Sequence, residues 1–393
     1  GLMSLREQGL LREPDAGALR SSEGSGGEPS ESAGEELGGA EGQAWPESWR
    51  LDASSNDYLG LGGAAVSRET LATLSHSGAG AGASRLIYGT KPEHLRAEHA
   101  LSTWLQTEAS LLFSSGYAAN VGTLQALAGP DDLIVSDALN HASIIDGCRL
   151  SRATVRVVPH LDLAAAERAL SAGAHRQRFL VTESYFSMDG DSPDLGALRR
   201  ICDRNDAALI VDEAHALGVF GPAGRGLCAA ANVVPDVLVG TLGKALGLHG
   251  AFVAGSALLR TWLWNRARSF VFSTAPSPLL VALVPERVGT AAAADAPRQR
   301  LAAHAQQLRD RLRSAGLNVP EHSHGPIVPV LVGDPARALA ARDALAQRGV
   351  RAQAIRPPTV PPGTARLRLT VRADLAAADL GFLADATIAA LAT

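Results

Sequence analysis

Lysine is the residue this chain nearly does without. Of 36 basic residues only Lys91 and Lys244 are lysines; the other 34 are arginines. Cysteine is scarce as well. Cys148, Cys202 and Cys228 are scattered, with neither metal-type nor disulfide spacing, which argues against a disulfide scaffold and for a reducing, cytoplasmic compartment. No apolar run approaches the ~18 residues of a membrane span. The opening stretch, Gly1 to Arg6, leads into charge and not into an apolar signal core. No basic excess exists either: the net charge of -4 gives no support for a nucleic-acid partner. What remains is a globular composition, 46% hydrophobic and 19% charged over 393 residues, long enough for about two or three domains.

The lysine shortage makes Lys244 informative. Arginine serves wherever only positive charge is needed. It stays protonated and forms no Schiff base, whereas a lysine amine loses its proton and attacks carbonyls. Lys244 follows the apolar run Val237-Leu238-Val239 and sits in Gly240-Thr241-Leu242-Gly243-Lys244-Ala245-Leu246-Gly247. A strand ending in a Gly-bracketed turn that carries one amine reads as a site.

Composition divides the chain into an N-terminal arm (1–50), a large domain (51–278) and a small C-terminal domain (279–393). In the arm, a short helix is expected over 4–20. Ser, Gly and Glu dominate residues 21–44, with six acids and no base, a composition that cannot bury a core. The Gly-rich stretch 78–90 follows no convincing strand, so it is a tight loop at a subunit or active-site contact and not a dinucleotide loop. Helices are expected over 93–106, 117–128, 142–151, 162–171 and 195–205. Strands are expected at 133–135, 155–158, 179–183, 208–212, 237–240 and 251–254. This alternation predicts an α/β fold with a mainly parallel sheet covered on both faces. After residue 275, helices at 279–293 and 296–314, strand 327–332, helix 335–348, strands 350–355 and 366–371 and a final helix from Asp374 describe a small α+β domain.

Ligands of open parallel sheets lie at the carboxyl ends of the strands, and four such ends carry polar residues. Asp212, in Asp212-Glu213-Ala214-His215, ends a buried apolar strand. A carboxylate there needs a partner: a protonated pyridine nitrogen, a helix N-cap or a metal, though no further metal ligands stand nearby. Glu183 and Ser187 follow a second strand, where Ser187-Met188-Asp189-Gly190-Asp191 also reads as a turn. Ser115-Gly116-Tyr117 opens a helix whose N–H groups suit an anion. His141 supplies a flat ring. Together, an amine, an aspartate, an anion site and a flat ring suit pyridoxal phosphate. A Walker loop competes poorly, because Ala245 follows Lys244.

These stretches, with Ser55-Asn56-Asp57-Tyr58-Leu59-Gly60-Leu61, Asn140-His141-Ala142-Ser143, Thr241-Leu242-Gly243-Lys244 and Phe272-Ser273-Thr274, resemble the α-oxoamine synthase family of fold-type I pyridoxal-phosphate enzymes. The resemblance runs from about Asn56 to the C-terminus. It implies an aspartate aminotransferase-like fold and a homodimer with shared active sites. It implies that Lys244 bonds the cofactor and later moves the substrate Cα proton, that Asp212 pairs with the pyridinium nitrogen and that His141 stacks on the ring. His215 and Ser187 would contact the ring hydroxyl side. Gly116, Tyr117 and Thr241 would bind phosphate, with Thr274 reaching in from the second subunit.

The stretch Arg356-Pro357-Pro358-Thr359 through Arg366-Leu367-Arg368 is similar to the branch of the family that condenses L-alanine with a pimeloyl thioester, delivered by CoA or acyl-carrier protein, in biotin biosynthesis. By that likeness Arg368 clamps the amino-acid carboxylate and Thr359 lines the substrate site. Arg366 shares a strand face with Arg368, and the resemblance selects Arg368. Arg20 is similar to an N-terminal substrate-binding arginine. Ala216 departs from the pattern, where Gly or Ser is usual. Two other readings stay open: a sister enzyme using glycine or serine with other thioesters, and a non-catalytic protein that keeps the fold for binding.

Overall fold

The structure is a computed structural model that describes residues 49–392; the expected helix 4–20, the acidic segment and Arg20 lie outside the described residues. Its central element is a seven-stranded sheet of β2 (Ala109–Phe113), β3 (Leu133–Asp137), β4 (Thr154–Val158), β5 (Arg178–Glu183), β6 (Ala207–Asp212), β7 (Val237–Thr241) and β8 (Ala251–Gly255). Their order is β2-β8-β7-β6-β5-β3-β4. β8 alone runs against the others; its neighbours β2 and β7 both pair with it antiparallel. The mainly parallel α/β reading therefore holds.

Alternation along each strand explains why both faces are covered. In β6, Leu209 and Val211 point into one apolar cluster and Ile210 into another; in β5, Leu180 faces the first and Phe179 and Val181 the second. Each such fully buried aliphatic side chain contributes roughly 1.5–3 kcal/mol of transfer free energy. Continuous apolar strands of this kind belong inside a sheet covered by helices on both sides.

β2 was not among the expected strands. Its five residues run without a break through Ser114 and Ser115 into the helix Gly116–Leu127, so the stretch reads as the lead-in to that helix. The Ser115 side chain accepts from Ala118 N at 3.1 Å, a cap that typically contributes about 1 kcal/mol.

The C-terminal part holds the antiparallel sheet β11-β12-β9, formed by β9 (Ile327–Gly333), β11 (Gln353–Ile355) and β12 (Ala365–Thr370). The expected strand 350–355 is two strands, because its halves have different partners. β10 (Val350–Arg351) pairs parallel with β1 (Leu51–Asp52), whereas β11 pairs with β12. The expected helix 279–293 is also divided, into Pro278–Val281 and Val284–Ala292; Pro285, which has no N–H to donate, opens the second. The last helix spans Ala377–Leu391. It starts after Asp374, whose carboxylate is engaged by Arg372 instead.

Residues 51–58 are stitched to this C-terminal part. Ala53 N donates to Arg351 O, Thr370 N to Ala53 O, and Ala373 N to Tyr58 O, each at 2.8 Å. That seam carries Asn56 and Tyr58 up to β12.

Candidate active site

β5, β6 and β7 run parallel and end together, with Glu183 opposite Asp212 and Asp212 opposite Val239 in the register. Lys244 follows three residues beyond β7. Its turn closes through Gly247 N, which donates to Lys244 O at 2.8 Å. Gly247 has φ +63°, and a Cβ there would stand 2.3 Å from Gly62 N, so both backbone conformation and space demand glycine.

Lys244 meets the electrostatic requirement of a reactive amine. Burial pushes its pKa down to about 8, the Asp212 and Glu183 carboxylates oppose that, and Arg368 adds to it. An amine shifted this way gives up its proton more readily near neutral pH than an ordinary lysine. Glu183 is pushed the other way, up to about 8, by burial and then by the Asp212 charge.

Asp212 is held by two donors: Asn120 Nδ2 at 2.7 Å on Oδ2 and Ala214 N at 2.8 Å on Oδ1. Asn120 also donates to Ser143 Oγ at 2.9 Å. Ser143 in turn sits 2.7 Å from His141 Nδ1 through its hydroxyl and donates its backbone N–H there at 3.2 Å. Nδ1 of His141 is thus an acceptor. The imidazole is held below the usual histidine range, by the protein packed around it and by Lys244, with Asp212 pulling the other way. His141 N donates to Glu183 Oε1 at 2.7 Å. His215 is buried and held well below the usual range by burial, Lys244, Arg368 and His141.

The helix Gly116–Leu127 presents its N-terminus to the same side of the sheet. Among the described residues, the N–H groups of Gly116 and Tyr117 have no protein acceptor, the arrangement that binds anions. The Tyr117 hydroxyl is turned to Asp146 at 2.6 Å. Thr241 Oγ1 donates to Gly250 O and accepts from Gly243 N.

Two arginines of β12 dock on the loop after β5 and differ in their partners. Arg366 donates to the Asp189 carboxylate and to Met188 O. Arg368 donates to neutral acceptors only: Ser187 O at 2.6 Å, Asn56 Oδ1 at 2.9 Å and Thr370 Oγ1 at 3.1 Å. Arg368 is therefore a buried cation that, among the described residues, pairs with no carboxylate.

The remaining expected residues are carried by other segments. Thr359 is in the exposed turn after β11, with its N–H on Arg356 O. Thr274 bridges to Ser84, and Ala275 N donates to Ala83 O, so the Gly-rich loop and the Thr274 segment form one structure. A Cβ on Gly89 would stand 2.1 Å from Ala83 O, which explains the glycine. The other lysine, Lys91, lies over the Tyr88 ring, 3.4 Å from its centroid. Sequence reasoning gave no role to Asn120, Ser143 or Tyr58. The signal for Asn120 was a polar residue one turn into a helix that opens at a strand end.

No group of described residues has the makings of a metal site. The residues do fit pyridoxal phosphate: an amine of lowered pKa, a fixed carboxylate and a helix start with open N–H groups.

The family model for aminotransferase class I and II matches residues 51–386. The chain is 47% identical over 334 residues to an 8-amino-7-oxononanoate synthase of Anaeromyxobacter dehalogenans, covering 84% of each. Among solved structures, a serine palmitoyltransferase from S. paucimobilis with a PLP–myriocin adduct aligns with TM-score 0.82 at 29% identity over 86% of each chain. An 8-amino-7-oxononanoate synthase from Francisella tularensis aligns with TM-score 0.76 at 25% identity, over 86% of this chain and 97% of that one.

Proposed function

The chain belongs to the class I and II aminotransferase family and to its 8-amino-7-oxononanoate synthases, and from that premise we propose that it joins L-alanine to a pimeloyl thioester of CoA or acyl-carrier protein. The reaction releases CO2 and the thiol carrier and leaves 8-amino-7-oxononanoate, a step of biotin biosynthesis. Pyridoxal phosphate, when bound, supplies the electron sink for this chemistry.

The observation that carries the substrate reading is Arg368. A buried guanidinium held by neutral acceptors alone is costly unless an anion arrives, and an amino-acid carboxylate is such an anion. Arg366 has already spent its charge on Asp189. Lys244 would hold the cofactor and would move the Cα proton of the amino acid; a buried amine whose pKa is lowered to about 8 suits a base at neutral pH. Asp212, fixed by Asn120, would hold the ring nitrogen of the cofactor, His141 would lie against its ring, and His215 and Ser187 would serve its hydroxyl side. Gly116, Tyr117 and Thr241 would hold its phosphate, and Thr359 would border the acyl substrate.

The enzyme works as a homodimer in the cytoplasm. Ile87, Tyr88 and Phe272 are 82%, 68% and 71% exposed, an apolar patch beside Thr274 of the kind partners cover. From there Thr274 serves the partner's site. Among the described residues, no helix is long and apolar enough to cross a membrane.

The serine palmitoyltransferase reading has backbone likeness in its favour, but its 29% identity is well below the 47% of the oxononanoate synthase relative. The test is the visible absorption of the cofactor-loaded protein with L-alanine, glycine or L-serine, followed by pimeloyl-CoA. A shift with L-alanine and CO2 release on adding pimeloyl-CoA is the expected result. The same response with serine or glycine alone would overturn the substrate assignment.

A further inference from the structure

Among the described residues His215 has one hydrogen bond, and its partner is Tyr58. The phenol oxygen lies 2.6 Å from His215 Nδ1. Both side chains are buried, and the tyrosine arrives on the segment stitched to β12. The distance alone leaves open which group donates, but the surroundings decide it.

A phenol has one proton to give. Tyr58 has two acceptors in reach: His215 Nδ1 at 2.6 Å and Asn56 Oδ1 at 3.3 Å. The second distance is beyond the usual range for an O–H···O bond. Asn56 Oδ1 also already receives a charged donor, Arg368 Nη2, at 2.9 Å. The phenol proton therefore goes to Nδ1. Burial, above all, keeps that proton on the oxygen, raising the Tyr58 pKa to about 12. His215 is neutral, since burial and the nearby charges of Lys244 and Arg368 disfavour a second proton. A neutral imidazole that accepts at Nδ1 carries its own proton on Nε2.

We infer that Tyr58 is a positioning residue that fixes His215 as its Nε2–H tautomer and so makes it a hydrogen-bond donor to the active site. What Nε2–H meets there rests on the proposed function; the tautomer itself belongs to the folded chain and is measurable without cofactor or substrate.

Two-bond 1H–15N correlation spectra of cofactor-free protein labelled at histidine provide the test, with His215 identified by the signals lost in His215→Asn. The expected spectrum at pH 7 shows an unprotonated Nδ1 and a protonated Nε2. In Tyr58→Phe those two signals should move toward each other as the tautomers mix, and in the cofactor-loaded enzyme kcat should fall about tenfold with KM for L-alanine nearly unchanged, the loss of one buried hydrogen bond. A protonated Nδ1 in the wild-type protein, or a Tyr58→Phe spectrum unchanged at His215, would overturn the inference. If Tyr58→Phe does not fold, the wild-type spectrum still decides. An enzyme inert toward L-alanine but with the expected spectrum would refute the substrate reading and leave the tautomer standing.

Discussion

Glu183 and Asp212 end two neighbouring parallel strands in register, and burial together with the Asp212 charge favours the protonated form of Glu183. Its pKa is raised to about 8. Between pH 4.5 and 8 the folded protein binds a proton that the unfolded chain has lost, so this group's contribution falls as pH rises. Glu183→Gln keeps an acceptor for His141 N without the charge. It should raise stability at pH 8 by the order of a few kcal/mol and change little at pH 4.5. Urea titrations at both pH values measure this, and an equal effect at both would contradict it.

Lys244→Ala should lower turnover by at least about 10³-fold, since it removes the proposed covalent anchor and base. Lys244→Arg should be no better, as it restores charge and not chemistry. Steady-state CO2 release is the measurement, and near-normal turnover in Lys244→Arg would sink the assigned role.

The two β12 arginines should separate cleanly. Arg368→Gln should raise KM for L-alanine by about 10- to 100-fold, the worth of a charge-assisted bond, with little loss of stability. Arg366→Gln should instead destabilise the fold by about 1–3 kcal/mol, because Asp189 loses its partner. Kinetics and melting on both variants check the contrast; the reverse pattern would assign the carboxylate to Arg366.

His160 lies between Asp137 Oδ1 at 2.8 Å and Asp191 Oδ2 at 3.1 Å, with the Phe186 ring edge-on at 4.5 Å and His322 Nε2 3.6 Å from Asp191. Burial works against its charge, but the two carboxylates raise its pKa to about 10. Its stabilisation is therefore complete below pH 6.5 and lost as pH rises through 10. His160→Gln should flatten the fall in stability over that window, and calorimetric scans at pH 6, 8 and 10 would reveal a slope that survives the substitution.

Ile87→Glu puts a charge in the exposed patch beside Thr274. The variant should sediment as a monomer and lose most of its activity. A variant that stays dimeric would place the interface elsewhere.

Much of this fold was legible because its signals are local. Short apolar strands between amphipathic helices gave the sheet, and Lys244 stood out against a nearly lysine-free composition. The split at Ala352 was not legible, since it depends on β10 finding β1 from the other end of the chain. Likewise, nothing local marks Tyr58 as a partner of His215, 157 residues away, or tells Arg366 from Arg368. Two alternate arginines look alike until the Asp189 loop arrives to neutralise one of them.

The placement of the two lysines makes the protein its own reporter. An endoprotease that cuts only after lysine can release three pieces, 1–91, 92–244 and 245–393. Lys91 marks the first junction, over the Tyr88 ring beside the apolar patch, and Lys244 the second. Reductive fixation of a carbonyl ligand on Lys244 would abolish the second cut in the denatured chain and leave 92–393 whole. Occupancy of the Lys244 amine could then be read from the size of one band on a gel, without an assay of turnover.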